Sequence, residues 1–244
     1  GYADEVAASG RIEAAGAAMA EGKVESAVTA FEDFAGIVTA DAAGAGDFAI
    51  EMAGWQADVA RQMARDVSAG EAPDAGALEI ARMRMEGLYG VFIPMGRGEL
   101  QAASAWLVEH AETCPEAIKA RLLRASARLE EAITSEAKRK EARALAHVAA
   151  GVSMPLARAA ELIGKKEYRA ASEWVMAASL YLKQEEKLAG EVGALGIGDA
   201  VLAVKAVAID LEGNRPVEPM DLMTLIDQAE TTILEAYRLP SFGG

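Results

Sequence analysis

The chain has few of the residues that most often carry chemistry: one cysteine, Cys114, and two histidines, His110 and His147. A single cysteine excludes an internal disulfide framework. His110 and Cys114 are four residues apart, so one face of a helix would present both side chains to a metal ion. Two ligands are too few for a protein metal site. We therefore predict neither a metal site nor another cofactor.

Aromatic residues and long apolar runs are also scarce. The 244 residues include 3 Trp, 5 Tyr and 5 Phe, and no apolar run approaches the roughly 20 residues that a membrane-spanning helix needs. The formal net charge of −14 argues against nucleic-acid binding by the surface as a whole. We predict a soluble protein with no membrane insertion and no nucleic-acid partner. Because the chain starts at Gly1 rather than at methionine, an exported, periplasmic form is favoured over a cytoplasmic one.

The sequence also lacks recognisable catalytic motifs. The glycines between residues 190 and 198 follow no predicted strand and do not have the spacing of a dinucleotide-binding turn. No serine stands in a nucleophile-elbow pattern. The acid pairs Glu130/Glu131 and Glu185/Glu186 are interpreted as solvated helix faces. We predict no catalytic residues and a protein that is not an enzyme.

Alanine is abundant, and it has the highest helix propensity of the natural residues. Apolar residues recur at helical spacing between glycine and proline breaks. The pattern predicts an all-α chain of about eleven helices, at 3–20, 24–39, 47–68, 77–93, 99–113, 116–132, 136–150, 154–164, 168–188, 199–211 and 219–238.

One interval recurs in the middle of the chain. Ala103, Ala137 and Ala171 are each 34 residues apart, and Leu88, Leu122 and Leu156 keep the same interval. A fixed period of this length is typical of stacked supersecondary units. We predict a single domain over 1–244, with divergent helices at 1–76, regular repeats at 77–188, and a final hairpin with a short tail at 189–244.

The joints between helices carry a more specific pattern. The segments Gly22–Ala27, Gly98–Ala103 and Lys166–Ala171 place an alanine after a short turn, and Pro115 follows the second helix of its pair. This pattern resembles the tetratricopeptide repeat, most clearly over 84–182. The resemblance implies a right-handed solenoid of antiparallel helical hairpins, in which the first helix of each hairpin lines a concave, peptide-binding groove.

Positive charge is concentrated in one part of this acidic chain. Residues 117–166 hold 11 bases and 5 acids. We define the basic belt as Lys119, Arg121, Arg124, Arg128 and Arg158. The resemblance would place Lys119, Arg124 and Arg158 near the groove, where arginine suits carboxylates because its planar fork binds them bidentately. The alternative is a solvated face, or charges neutralised by the protein's own acidic helices.

These features predict a non-enzymatic adaptor or scaffold that binds another protein, or an acidic peptide segment, through the concave face and the basic belt. A structural subunit of a larger assembly is the first alternative, and large exposed apolar patches would favour it. A small-molecule carrier or enzyme is the second alternative, and an apolar cavity near Trp55, Trp106 or Trp174 would favour it. The sequence does not determine the oligomeric state.

Overall fold

A computed structural model describes residues 2–71, 73, 75–189 and 191–238. Within these ranges the chain is helical and contains no strand, so the predicted all-α class is confirmed. The helices form two compact units, unit 1 (Gly1–Gly98) and unit 2 (Glu99–Gly244). The repeat stretch predicted at 77–188 is therefore divided between the two units.

Unit 1 contains five α-helical stretches and one π-helical turn. They are α1 (Tyr2–Ala20), α2 (Val24–Asp41), α3 (Asp47–Ser68), α4 (Ala75–Gly87), the π turn Leu88–Phe92 and α5 (Ile93–Arg97). Short loops join α1 to α2 and α2 to α3, and α1 also packs on α4. The core holds Phe31 and Phe34, which are nearly inaccessible to solvent because their spacing puts both on the inner face of α2.

Unit 2 contains the remaining helices. They are α6 (Leu100–Ala111), α7 (Glu116–Ile133), a 3₁₀ turn (Glu136–Lys138), α8 (Arg139–Val148), the π turn Ala149–Ser153, α9 (Met154–Gly164), α10 (Tyr168–Leu188), α11 (Glu191–Glu212) and α12 (Pro219–Arg238). α10 packs on α9 and α11, and α12 packs on α11 and also on α8 and α9. The contact of α12 with α8 and α9 closes the unit, whereas in an open stack each repeat contacts only its neighbours.

Two predicted helix ends differ from the structure. The sequence predicts that Pro94, Gly96 and Gly98 close a helix at residue 93 and that a break near residue 151 separates two others. Instead, π turns join α4 to α5 and α8 to α9. The first helix continues to Arg97, with Gly98 as its C-cap. The second junction unites two of the predicted helices, so the described chain has ten continuous helices rather than eleven. The Ile93 N–H donates to the Leu88 carbonyl, five residues back. The register shift leaves Pro94 and Pro155 in the first turn of the next helix, where a missing N–H is tolerated.

The same short pattern stands at both π turns. The same number of residues separates Gly90 from Gly151, Val91 from Val152 and Pro94 from Pro155. The two π turns are separated by that number as well. The two continuous helices that contain these π turns, α4–α5 and α8–α9, thus share a local sequence pattern. The 34-residue interval does not describe this pattern. After the proline they differ, because α9 runs for 11 residues and α5 for 5.

The sequence predicts a turn at 190–198, whereas the structure has a helix from Glu191 onward. α11 begins at Glu191, so Gly193, Gly196 and Gly198 lie within the helix. Gly196 and Gly198 lie where side chains of neighbouring helices approach the backbone closely. A Cβ on Gly198 would lie 2.9 Å from the Glu186 carboxylate, and one on Gly196 would lie 3.1 Å from Thr232.

Candidate functional site

The structure brings four members of the basic belt to one helix. Lys119, Arg121, Arg124 and Arg128 lie on α7, and Arg158 lies on α9. Arg124 and Arg128 are exposed, whereas Arg121 is largely covered. All five residues belong to unit 2.

Acidic residues of α12 face two of these arginines. Arg121 forms ion pairs with Asp227 and Glu230, and Arg124 pairs with the second oxygen of Glu230. Glu230 therefore joins two arginines, and its side chain is only 15 % exposed. Such partly buried, shared pairs are screened less by salt than exposed ones.

Two further belt arginines pair within their own helices. Arg128 bonds Glu131 at 2.9 Å, and Arg158 bonds Glu161 at 2.7 Å. Lys119 has no ion-pair partner among the residues that the structure describes. Four of the five belt cations thus have carboxylate partners supplied by this chain, which is the alternative that the charge pattern left open.

Replacing Glu230 with glutamine should lower the free energy of unfolding by about 1–2 kcal/mol, because Arg121 would lose a partner in a partly buried position. Urea unfolding at low and high salt would measure this loss, which should shrink as salt screens the pairs. Asp227→Asn is the matched control. Asp227 is 66 % exposed, so its loss should change the free energy by less than about 0.5 kcal/mol. Equal effects of the two substitutions would contradict a special role for Glu230.

The outer face of α11 carries an apolar stripe, which we define as Leu202, Ala206 and Ile209. Leu202 is 66 % exposed and Ile209 is 55 % exposed, and Ala206 between them is exposed as well. The opposite face of α11 is also apolar, with Val201, Val204 and Leu211 in the core. A helix that is apolar on both sides is normally covered on both sides.

A polar cluster is buried at the centre of unit 2. The Glu185 carboxylate accepts hydrogen bonds from the hydroxyls of Tyr181 and Tyr237, at 2.8 and 2.9 Å. The Nδ1 atom of His147 lies 2.9 Å from the same carboxylate. Both His147 and Glu185 are 1 % exposed. The prediction that Glu185 lies on a solvated face is therefore wrong.

Hydrogen bonding fixes the charge of this cluster. Burial by itself would raise the pKa of Glu185, but the hydrogen bonds from His147, Tyr181 and Tyr237, together with the charge that His147 carries when protonated, outweigh burial and the pKa is lowered. Burial lowers the pKa of His147 and raises that of Tyr181. At neutral pH the cluster is thus a carboxylate held by three neutral donors. The cluster links α8, α10 and α12 inside unit 2 through hydrogen bonds to one buried carboxylate.

No group of three or more metal-binding side chains occurs in the described part of the chain. The His110 ring stacks on Trp106, with ring centroids 3.8 Å apart, and its Nδ1 atom lies 3.0 Å from the Trp106 carbonyl. Among the helices at 2–71, 75–189 and 191–238, none is long and apolar enough to cross a membrane.

Comparisons with protein-family models, curated proteins and solved structures give no match to this chain. Its function must therefore be argued from its own residues. Sequence reasoning did not find the role of Glu230, the apolar stripe or the buried cluster. The stripe had a signal, because Leu202 and Ile209 are seven residues apart within a segment that is apolar on all sides. The cluster had no comparable signal, since His147 and Glu185 are 38 residues apart.

Proposed function

We propose that this chain is a non-enzymatic interaction module that holds another protein, as a structural subunit or scaffold. The observation that carries the proposal is the apolar stripe on α11. Burying one large aliphatic side chain contributes about 1.5–3 kcal/mol, so Leu202 and Ile209 would act as anchors of an interface. The stacking of hairpins as a right-handed, tetratricopeptide-like solenoid belongs to the same proposal. The sequential packing of α6 on α7 and α7 on α8 supports that stacking, whereas the packing of α12 on α8 and α9, and the continuous helix that α8 and α9 form, depart from a regular stack of hairpins.

Charge at the ends of the stripe favours a partner other than a second copy. Asp199 and Glu212 are exposed near its two ends. In an antiparallel pairing of two copies, Asp199 of one would approach Glu212 of the other, and like charges disfavour that contact. A partner with an apolar centre and basic residues around it matches the stripe better.

The basic belt contributes less to this proposal than the sequence suggests. An acidic partner segment would have to displace Glu230, Glu131 or Glu161 from the belt arginines. That exchange replaces one set of ion pairs by another, so its net gain is small. The stripe consists of uncharged side chains, so a partner would contact it without first breaking an ion pair.

Changing Leu202 and Ile209 together to glutamate should weaken binding of the partner by about 100-fold or more, because two apolar anchors would be replaced by charges. The partner would first be captured from the native source with the wild-type chain. Its affinity would then be measured with purified proteins by calorimetry. Light scattering of the wild-type chain alone should show a monomer.

Val108→Glu combined with Leu123→Glu is the matched control. Both residues are exposed aliphatics of unit 2, on α6 and α7. The control should keep wild-type affinity. If the control weakens binding as much as the stripe variant, or if the stripe variant binds normally, the stripe is not the interface. Loss of affinity on Arg124→Glu alone would instead favour the basic belt.

A further inference from the structure

One end of unit 1 carries an open apolar pocket, which we call the end pocket. It lies where α1 ends, α2 begins and α3 ends, and it is lined by Met19, Gly22, Val24, Val67 and Gly70. Its volume is about 110 Å³, and an apolar cavity of about 150 Å³ is large enough to hold benzene. The end pocket therefore has room for one aliphatic side chain.

Two glycine turns keep the end pocket open. Gly22 and Gly70 have φ angles of 70° and 87°, in the left-handed region that other residues rarely adopt. In both turns the N–H of the following residue bonds a carbonyl of the last helical turn at 2.8 Å. No described, non-adjacent residue has an atom within 4 Å of the position that a Cβ would take on either glycine. The turns thus end two helices without filling the space between them.

Carboxylates surround the mouth of the end pocket. Four acidic residues are each adjacent in sequence to a lining residue: Glu21, Glu25, Asp66 and Glu71. Of the two nearby bases, Lys23 pairs with Glu21 at 2.5 Å, and Arg65 bonds an amide oxygen of its own helix. Glu25 and Glu71 are exposed and form no ion pair within the described part of the chain. Two carboxylates are therefore available to a cation that approaches the mouth.

The ends of the helices add to the negative potential. α1 and α3 both end at the end pocket, and the carbonyl end of a helix carries a partial negative charge, whereas the start of α2 offsets only one of the two. Unit 1 as a whole holds 16 acids and 7 bases. A second copy of the chain would bring the same acids to the contact, and like charges disfavour that pairing. A basic partner is favoured instead.

We propose that the end pocket binds a segment of a partner protein in which one large aliphatic side chain is flanked by lysine or arginine. The aliphatic side chain would contact Met19, Val24 and Val67, of which Val24 is 45 % exposed without a partner. The flanking cations would lie beside Glu25 and Glu71. A small apolar molecule would fill the same space but leave both carboxylates unused. This surface belongs to unit 1, so it is separate from the apolar stripe of unit 2.

The test is a titration of the whole chain, labelled with ¹³C at the methionine methyl groups, with the blocked peptide KKLKK. The Met19 methyl signal should shift saturably with a Kd on the order of 1 mM, as expected when one aliphatic side chain and two exposed ion pairs supply the affinity. The signal of Met154, on α9 of unit 2, should stay in place. The peptide KKAKK should bind at least about tenfold more weakly, because alanine buries far less apolar surface.

Glu25→Gln with Glu71→Gln and Glu13→Gln with Glu32→Gln form matched double variants. Both remove two negative charges from exposed positions of unit 1, but only the first pair flanks the end pocket. The first should weaken KKLKK binding by about fivefold and the second by less than about twofold, because an exposed ion pair contributes modestly and only at close range. Leu202→Glu with Ile209→Glu should leave KKLKK binding at Met19 unchanged, so failure of this proposal and failure of the stripe are distinguishable.

Four results would overturn the proposal. Equal Kd values for KKLKK and KKAKK would mean that no side chain enters the end pocket. Equal weakening by the two double variants would mean that only general charge attracts the peptide. A Met19 signal that moves on dilution of the free chain would make a second copy the occupant. Tighter binding of 3-methylbutanol than of KKLKK at Met19 would make this a small-molecule pocket.

Discussion

Replacing Glu185 with leucine is expected to lower the free energy of unfolding of unit 2 by about 3–5 kcal/mol, because three buried donors would each lose a carboxylate acceptor and each such loss costs about 1–3 kcal/mol. The Tyr181 and Tyr237 hydroxyls would each lose the carboxylate acceptor that they have in the wild type. His147 would lose the same partner. Leucine fills most of the volume, so the loss would come from buried donors rather than from a cavity.

Urea unfolding followed by tryptophan fluorescence would measure this loss, since Trp174 is buried in unit 2. Glu186→Gln is the matched control, because Glu186 is the next residue along α10 and is partly exposed. Its effect should stay within about 0.5 kcal/mol. Glu185→Gln should fall between the two, since it retains one acceptor oxygen. A loss below about 1 kcal/mol in Glu185→Leu would show that the cluster is energetically unimportant.

Replacing Gly151 with alanine should also be damaging, by about 3 kcal/mol, the upper end of the usual cost of overpacking a core. A Cβ at this position would lie 2.2 Å from the nearest atom of the Tyr181 ring. That ring is fully buried, and its hydroxyl is tied to Glu185 at 2.8 Å. It therefore has no direction in which to move without breaking the polar cluster.

Gly164→Ala is the control, because it lies on the same continuous helix, α8–α9. Gly164 is the last residue of α9, and nothing lies within 4 Å of the position that its Cβ would take. Thermal unfolding followed by circular dichroism should show a large drop in Tm for Gly151→Ala and almost none for Gly164→Ala. If the two variants have the same Tm, the close approach of the π turn to Tyr181 does not limit the packing of unit 2.

Much of the secondary structure could be predicted because it depends on local chemistry. Phe31, Phe34 and Val38 share one face of α2 at helical spacing, and all three are buried. Pro115 precedes α7, as predicted. The helix end at residue 93 was wrong because Pro94 was taken as a break, whereas a π turn lets Pro94 enter the first turn of a continuing helix. Pro155 was correctly placed in a first turn, but the break before it was wrong because a second π turn continues the helix there.

The candidate sites were harder to predict because they depend on distant partners. Arg121 and Arg124 were correctly placed on one helix, but their acidic partners lie more than 100 residues further along the chain. Glu185 and Glu186 look alike in the sequence, yet only Glu185 is turned into the core.

By itself the sequence determined the all-α class, the position of most helices, the scarcity of catalytic groups and the concentration of basic residues between 117 and 166. These follow from propensity, periodicity and composition, which act over a few residues at a time. Only the tertiary structure decided which charges are neutralised, which acid is buried and which apolar faces stay exposed. Burial and pairing depend on what packs against a side chain, and residues far away in the sequence supply those neighbours.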